Sequence, residues 1–216
     1  TPPPPTTTRC TSRRQRQMCI RDSLVAETTH KASETNFVGA ITQLRKADCD
    51  VIMLGTIITD TIIATSTARK MGWDVDIVAN TAGCNYVVPL KGLQGVEGLY
   101  GVTSIPIMYA DQATGKAKTF FENYQKRFNK MPSEVAQHGY YSAELAVIAM
   151  QKAGKDLTED SFIKGMESIK GYEHPFGGPV ISYGPQKHLG SDDSIFLQVQ
   201  GGKWVYPAGK KEVLGY

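Results

Sequence analysis

The stretch that most constrains the fold runs from Asp50 to Ala82, DVIMLGTIITDTIIATSTARKMGWDVDIVANTA, where two buried-strand signals flank a helix-length amphipathic segment. Val51 to Leu54 is a short continuous apolar run closed by Gly55, the pattern of a strand covered on both faces. Thr59 or Asp60 can cap the following helix, on which Ile62, Ile63 and Ala68 mark one face; Arg69 and Lys70 fall in its last turn and Gly72 ends it. Asp76 to Asn80 is the second strand. A strand, a crossover helix and a second strand pack as a right-handed parallel unit. In open parallel sheets ligands sit beyond the carboxyl ends of the strands. Gly55-Thr56-Ile57 and Asn80-Thr81-Ala82 are therefore the first candidates for a binding site.

The rest of the first half alternates strand and helix. LVAETTH reads as a strand, and Thr35 can cap a helix whose apolar face is Phe37, Val38, Ile41 and Leu44. NYVVPLKGLQG reads as a short helical segment broken near Pro89, and VEGLYGVTSIP as another strand. The alternation makes this part α/β. After Pro106 the pattern changes. Residues 113 to 130 form an amphipathic helix with Ala117, Phe120, Phe121, Tyr124 and Phe128 on one face, stopped by Pro132. Val135 to Ala153 is a second helix ended by Gly154, and Thr158 starts a third that Gly171 ends. Three consecutive helices cannot continue the first sheet, so they belong to another lobe. The tail returns to β with PVISY, IFLQVQ and KWVYPA, the last two joined through Gly201-Gly202 as a hairpin. The expected segments are 24–106, an α/β ligand-binding lobe; 107–176, a helical block; and 177–216, a β return.

Residues 1–23 lack hydrophobic periodicity, open on a proline run and cluster arginine, so they are expected to be disordered. A nucleic-acid-binding arm and a twin-arginine export signal at Arg13-Arg14 are the native alternatives, but no apolar region follows the arginine pair. RQRQMCIRDS resembles translated sequencing-adapter read-through, which makes the segment a non-native leader. The formal charge of +3 rests on it: five arginines against one acid there leave the remainder at 19 basic and 20 acidic residues, or −1. That near-neutral remainder gives no electrostatic footprint for nucleic acid. No apolar run reaches the roughly 18 residues of a spanning helix, so no membrane insertion is expected.

Catalytic signatures are absent: there is no G-x-S-x-G, H-E-x-x-H, C-x-x-C or phosphate-cradling G-x-x-x-x-G-K. The glycines at 92, 95, 98 and 101 precede a strand instead of opening a helix, which favours a turn-rich connection over a dinucleotide loop. His30, His138, His174 and His188 are scattered, with no two at i, i+4, and read as surface or hydrogen-bonded groups. No metal or cofactor is expected. Cys49 precedes one strand and Cys84 follows its parallel neighbour, roughly 15 Å apart or more. A disulfide needs Cα atoms within about 7 Å, so both are expected to be free thiols. Tyr140 and Tyr141 read first as packing and second as rings offered to a ligand. Thr56, Asn80 and Thr81 can serve equally as turn and cap residues or as groups that orient a small polar ligand.

In this order, ETNFVGAITQLRKADCDVIMLG, TSTARKMGW, VEGLYGVTS, FFENYQKRFNKMPSEVAQHGYYSAELAVIAMQKAG and GGPVISYGPQKHLGSDDSIFLQVQGGKWV resemble the branched-chain amino acid type of periplasmic substrate-binding protein, the receptor of ABC importers. The resemblance covers residues 24 to 208. It implies a type I periplasmic-binding fold, a parallel sheet with flanking helices in two hinged lobes, of which this sequence lacks the N-terminal lobe sheet. It also implies a small-molecule ligand, an ABC permease as partner, and a place in the periplasm or on the extracellular face of a bacterial membrane. Binding residues carried over by the resemblance fall at Ile57 or Ile58, where an aromatic is common, and at Thr81, where an acid often receives the ligand's ammonium. With threonine at 81 a buried ammonium lacks its charge partner, which points to an amide, a carboxylate or an aromatic acid. A ligand-sensing core of a regulator and an α/β enzyme are the competing classes.

Overall fold

The computed structural model describes residues 6–12, 24–207 and 213–214. The chain divides into two compact units, Thr1–Thr103 with Phe196–Glu212, and Ser104–Ile195 with Val213–Tyr216.

The first unit is built on the expected βαβ segment. Strand β1 is Thr6–Ser12, β2 is Leu24–His30, and helix α1 is Val38–Lys46. Then come β3 (Cys49–Leu54), α2 (Ile58–Lys70) and β4 (Asp76–Ala79). Helix α3 (Val87–Gly92) and a 3-10 turn at Leu93–Val96 lead to β5 (Tyr100–Thr103). Strands β6 (Ser194–Gln200) and β7 (Lys203–Val205) close the unit as a hairpin, and β8 is Val213–Leu214. The sheet order is β2-β1-β3-β4-β5-β6-β7, with β8 on β6. Buried Leu44, Ile52, Ile77, Val88, Leu99 and Trp204 form its core.

The fold is α/β, but the sheet is mixed instead of parallel throughout. β3, β4 and β5 are parallel, whereas β1 runs antiparallel to both β2 and β3, and β7 antiparallel to β6. The two-residue turn enforces the last of these: Gly201 and Gly202 have φ of 58° and 75°, the left-handed pair that a tight hairpin requires. The expectation of disorder over residues 1–23 fails at Thr6–Ser12, where a threonine-rich segment of high strand propensity pairs with β2 on one side and β3 on the other. The proline run, Arg13-Arg14 and the adapter-like stretch lie outside the described residues.

Helix ends depart from the expected caps. Thr35 does not cap α1; Glu34 Oε1 accepts the N–H groups of Thr35 and Asn36, and Asn36 Oδ1 accepts that of Val38. Val38 is exposed, and Phe37, Ile41 and Leu44 carry the buried face. On α2 the buried face is Asp60, Thr61, Ala64, Thr65 and Ala68, one residue round from the expected Ile62 and Ile63. Pro89 does not break α3, since it sits in the first turn where no intrahelical N–H is needed.

The second unit holds α4 (Gly115–Phe128), α5 (Glu134–Ala153) and α6 (Glu159–Glu167). Ala117, Phe121, Tyr141, Leu145, Ala149 and Ile169 are its buried centre. Thr158 caps α6 as expected, its hydroxyl accepting from Ser161 N, but the helix ends at Glu167, ahead of Gly171. Gln137, fully buried on α5, accepts from Met108 N at 3.2 Å and donates to Met108 O at 2.9 Å, fixing the entry of the chain. PVISY is not a strand; Ile181 makes one isolated bridge to Tyr172. Residues 177–195 stay with the helices, and the chain leaves this unit between Ile195 and Phe196, inside β6.

Cys84 is a buried cysteine outside any disulfide, as expected, but Cys49 is disulfide-bonded, against the expectation. The length of a strand keeps Cys49 from Cys84 but not from the cysteines at positions 10 and 19.

Candidate functional site

The candidate site follows from the register of two parallel strands. Leu54, the last residue of β3, lies beside Ala79, the last of β4, and Asn80 N donates to Leu54 O at 3.1 Å. Gly55-Thr56-Ile57 and Asn80-Thr81-Ala82 therefore leave the sheet side by side at its carboxyl edge. β2 points the same way as β3 because both are antiparallel to β1, so His30 at its end belongs to this edge too.

The four expected residues divide by exposure. Thr56 is 1% exposed, and its Oγ1 lies 2.6 Å from Thr61 Oγ1 on α2. The hydroxyl is used inside the fold, where it holds the β3–α2 turn. Ile57 follows as the extended residue before α2 and is 48% exposed. Asn80 and Thr81 are exposed as well. Asn80 Oδ1 accepts from Gly83 N at 3.0 Å. Thr81 Oγ1 donates to Val102 O at 3.4 Å, tying the loop to β5. Gly83 is where the two turns meet, since a Cβ there would fall 2.5 Å from Thr61 Oγ1. Thr56, Thr61 and Gly83 thus set the backbone, and Ile57, Asn80 and Thr81 are presented on it.

One feature of this edge was not read from the sequence. Asp60, in the first turn of α2, is 1% exposed; its Oδ2 lies 3.4 Å from His30 Nε2 and accepts from Ser33 N at 3.3 Å. The only sequence signal was an acid in a first helical turn, where the helix N-terminus favours negative charge. The partner, thirty residues away, carried no signal at all.

In the second unit Tyr141 is buried, its O–H hydrogen-bonded with His138 Nδ1 at 2.9 Å and its ring stacked on His174 at 4.4 Å. Tyr140 packs on Phe120 and Phe176. His188 pairs with Glu167 at the surface. Among the described residues no three His, Cys, Asp or Glu side chains group as metal ligands, and no helix is long and apolar enough to cross a membrane. Of the glycine series, Gly92 ends α3, Gly95 lies in the 3-10 segment, Gly98 in the turn before β5 and Gly101 within β5, so none opens a helix as a phosphate loop would.

The family described as periplasmic binding protein matches residues 21–203. The chain belongs to this family. Solved structures agree on the fold. A branched-chain amino acid ABC transporter structure from Thermus thermophilus with bound valine has a TM-score of 0.73 at 15% identity, over 88% of this chain and 51% of that one. A leucine binding protein from Thermotoga maritima gives 0.67 at 18% identity, over 86% and 50%. A solute binding protein of an ABC transporter from Rhodopseudomonas palustris in complex with 3,4-dihydroxybenzoic acid gives 0.61 at 19% identity, over 78% and 46%. No curated protein matches. The chain thus has the type I periplasmic-binding fold of the branched-chain amino acid receptors and spans about half the length of the structures it matches.

Proposed function

We propose that this chain belongs to the solute-binding component of an ABC importer, which captures a small polar molecule by hinge closure and presents it to a membrane permease. The observation that carries the reading is the exposure of Ile57, Asn80 and Thr81 together at the carboxyl edge of β3 and β4 in a chain of this family. Thr56 acts there by positioning Ile57 through its hydrogen bond to Thr61. No chemistry is done on the ligand, and no cofactor takes part. The protein works in the periplasm or on the extracellular face of the membrane.

The ligand is an amino acid, an amide or a small carboxylate, with amides and carboxylates preferred. Thr81 offers a hydroxyl where a cationic ligand would need a carboxylate, and an ammonium buried without a counter-charge costs several kcal/mol, on the order of 3 or more. Similar folds accommodate both kinds of solute, since the Thermus structure holds valine and the Rhodopseudomonas structure 3,4-dihydroxybenzoic acid.

A thermal-shift screen of the protein expressed from its own gene, against amino acids, amides, urea and aromatic acids, tests this. A ligand that binds only the native state stabilises it by mass action, so one solute class should raise the melting temperature by several degrees. Turnover of a panel compound without any shift would sink the binding reading.

A further inference from the structure

We draw no further inference here: the strongest candidate, the buried His30–Asp60 pair between the end of β2 and the first turn of α2, belongs to the carboxyl edge already described, and its unbonded atoms, His30 Nε2 and Asp60 Oδ1, are enclosed by the fold with nothing in the structure to show a ligand reaching them.

Discussion

His30 Nε2 lies 3.4 Å from Asp60 Oδ2, with the two side chains 4% and 1% exposed, at the edge of the sheet where the candidate binding residues emerge. The pair connects the end of β2 to the first turn of α2, and Ser33 N adds a third attachment. Removing the Asp60 carboxylate leaves Ser33 N without its acceptor beside a buried imidazole and costs about 1–3 kcal/mol, while replacing both side chains with apolar groups of similar volume is often close to neutral. Asp60→Ala should therefore lower the denaturant midpoint strongly, and His30→Phe with Asp60→Leu should recover most of the loss. Additive losses in the double variant, measured by urea unfolding, would contradict a coupled pair.

Gly165 on α6 faces the Ala149 carbonyl oxygen on α5 so closely that a Cβ would overlap it. The obstacle is backbone, which cannot swing aside as a side chain can. Gly165→Ala should cost about 1–3 kcal/mol, or a fall of several degrees in melting temperature for a chain of this size. Gly139, with open space around its Cβ position, is the internal control: Gly139→Ala should be neutral or stabilising in the same calorimetric scan.

Thr81 is exposed, and its hydroxyl makes a long hydrogen bond to Val102 O. If it meets the ligand, Thr81→Asp supplies the missing carboxylate and should move the preference toward solutes that carry an ammonium, by roughly tenfold or more. Competition binding of an amide against its parent amino acid reads this directly. An unchanged ratio would remove Thr81 from the site.

The Tyr172 hydroxyl donates to Glu144 Oε2 at 2.5 Å, and its pKa is pushed far above 10, first by burial and then by that hydrogen bond and the charge of Glu144. The native state thus holds the proton to a higher pH than the unfolded chain does. Stability from this group is complete below about pH 10 and is lost as pH rises past it toward the folded value. Alkaline unfolding curves between pH 9 and pH 12 should be shallower for Tyr172→Phe, whose stability at neutral pH should be lower by roughly 1–2 kcal/mol. Parallel curves would show that Tyr172 does not set the alkaline limb.

The sequence by itself determined what periodicity and turn chemistry encode locally. Val51–Leu54 and Asp76–Ala79 are apolar runs bounded by breakers, the Gly201-Gly202 hairpin needs positive φ at two positions, and Thr158 caps its helix. These fix which elements exist and that two parallel strands deliver Ile57 and Asn80-Thr81 to one edge. Tertiary structure decided whatever depends on a distant partner. Thr56 is a structural hydroxyl because Thr61 comes within 2.6 Å, and Asp60 is buried because His30 and Ser33 meet it. The α2 face turned inward is the polar one, and β1 separates β2 from β3. Hydrophobic period states which residues can be buried together, while a buried polar atom is placed by the partner that satisfies it, and for Asp60 those partners lie about thirty residues away in the chain.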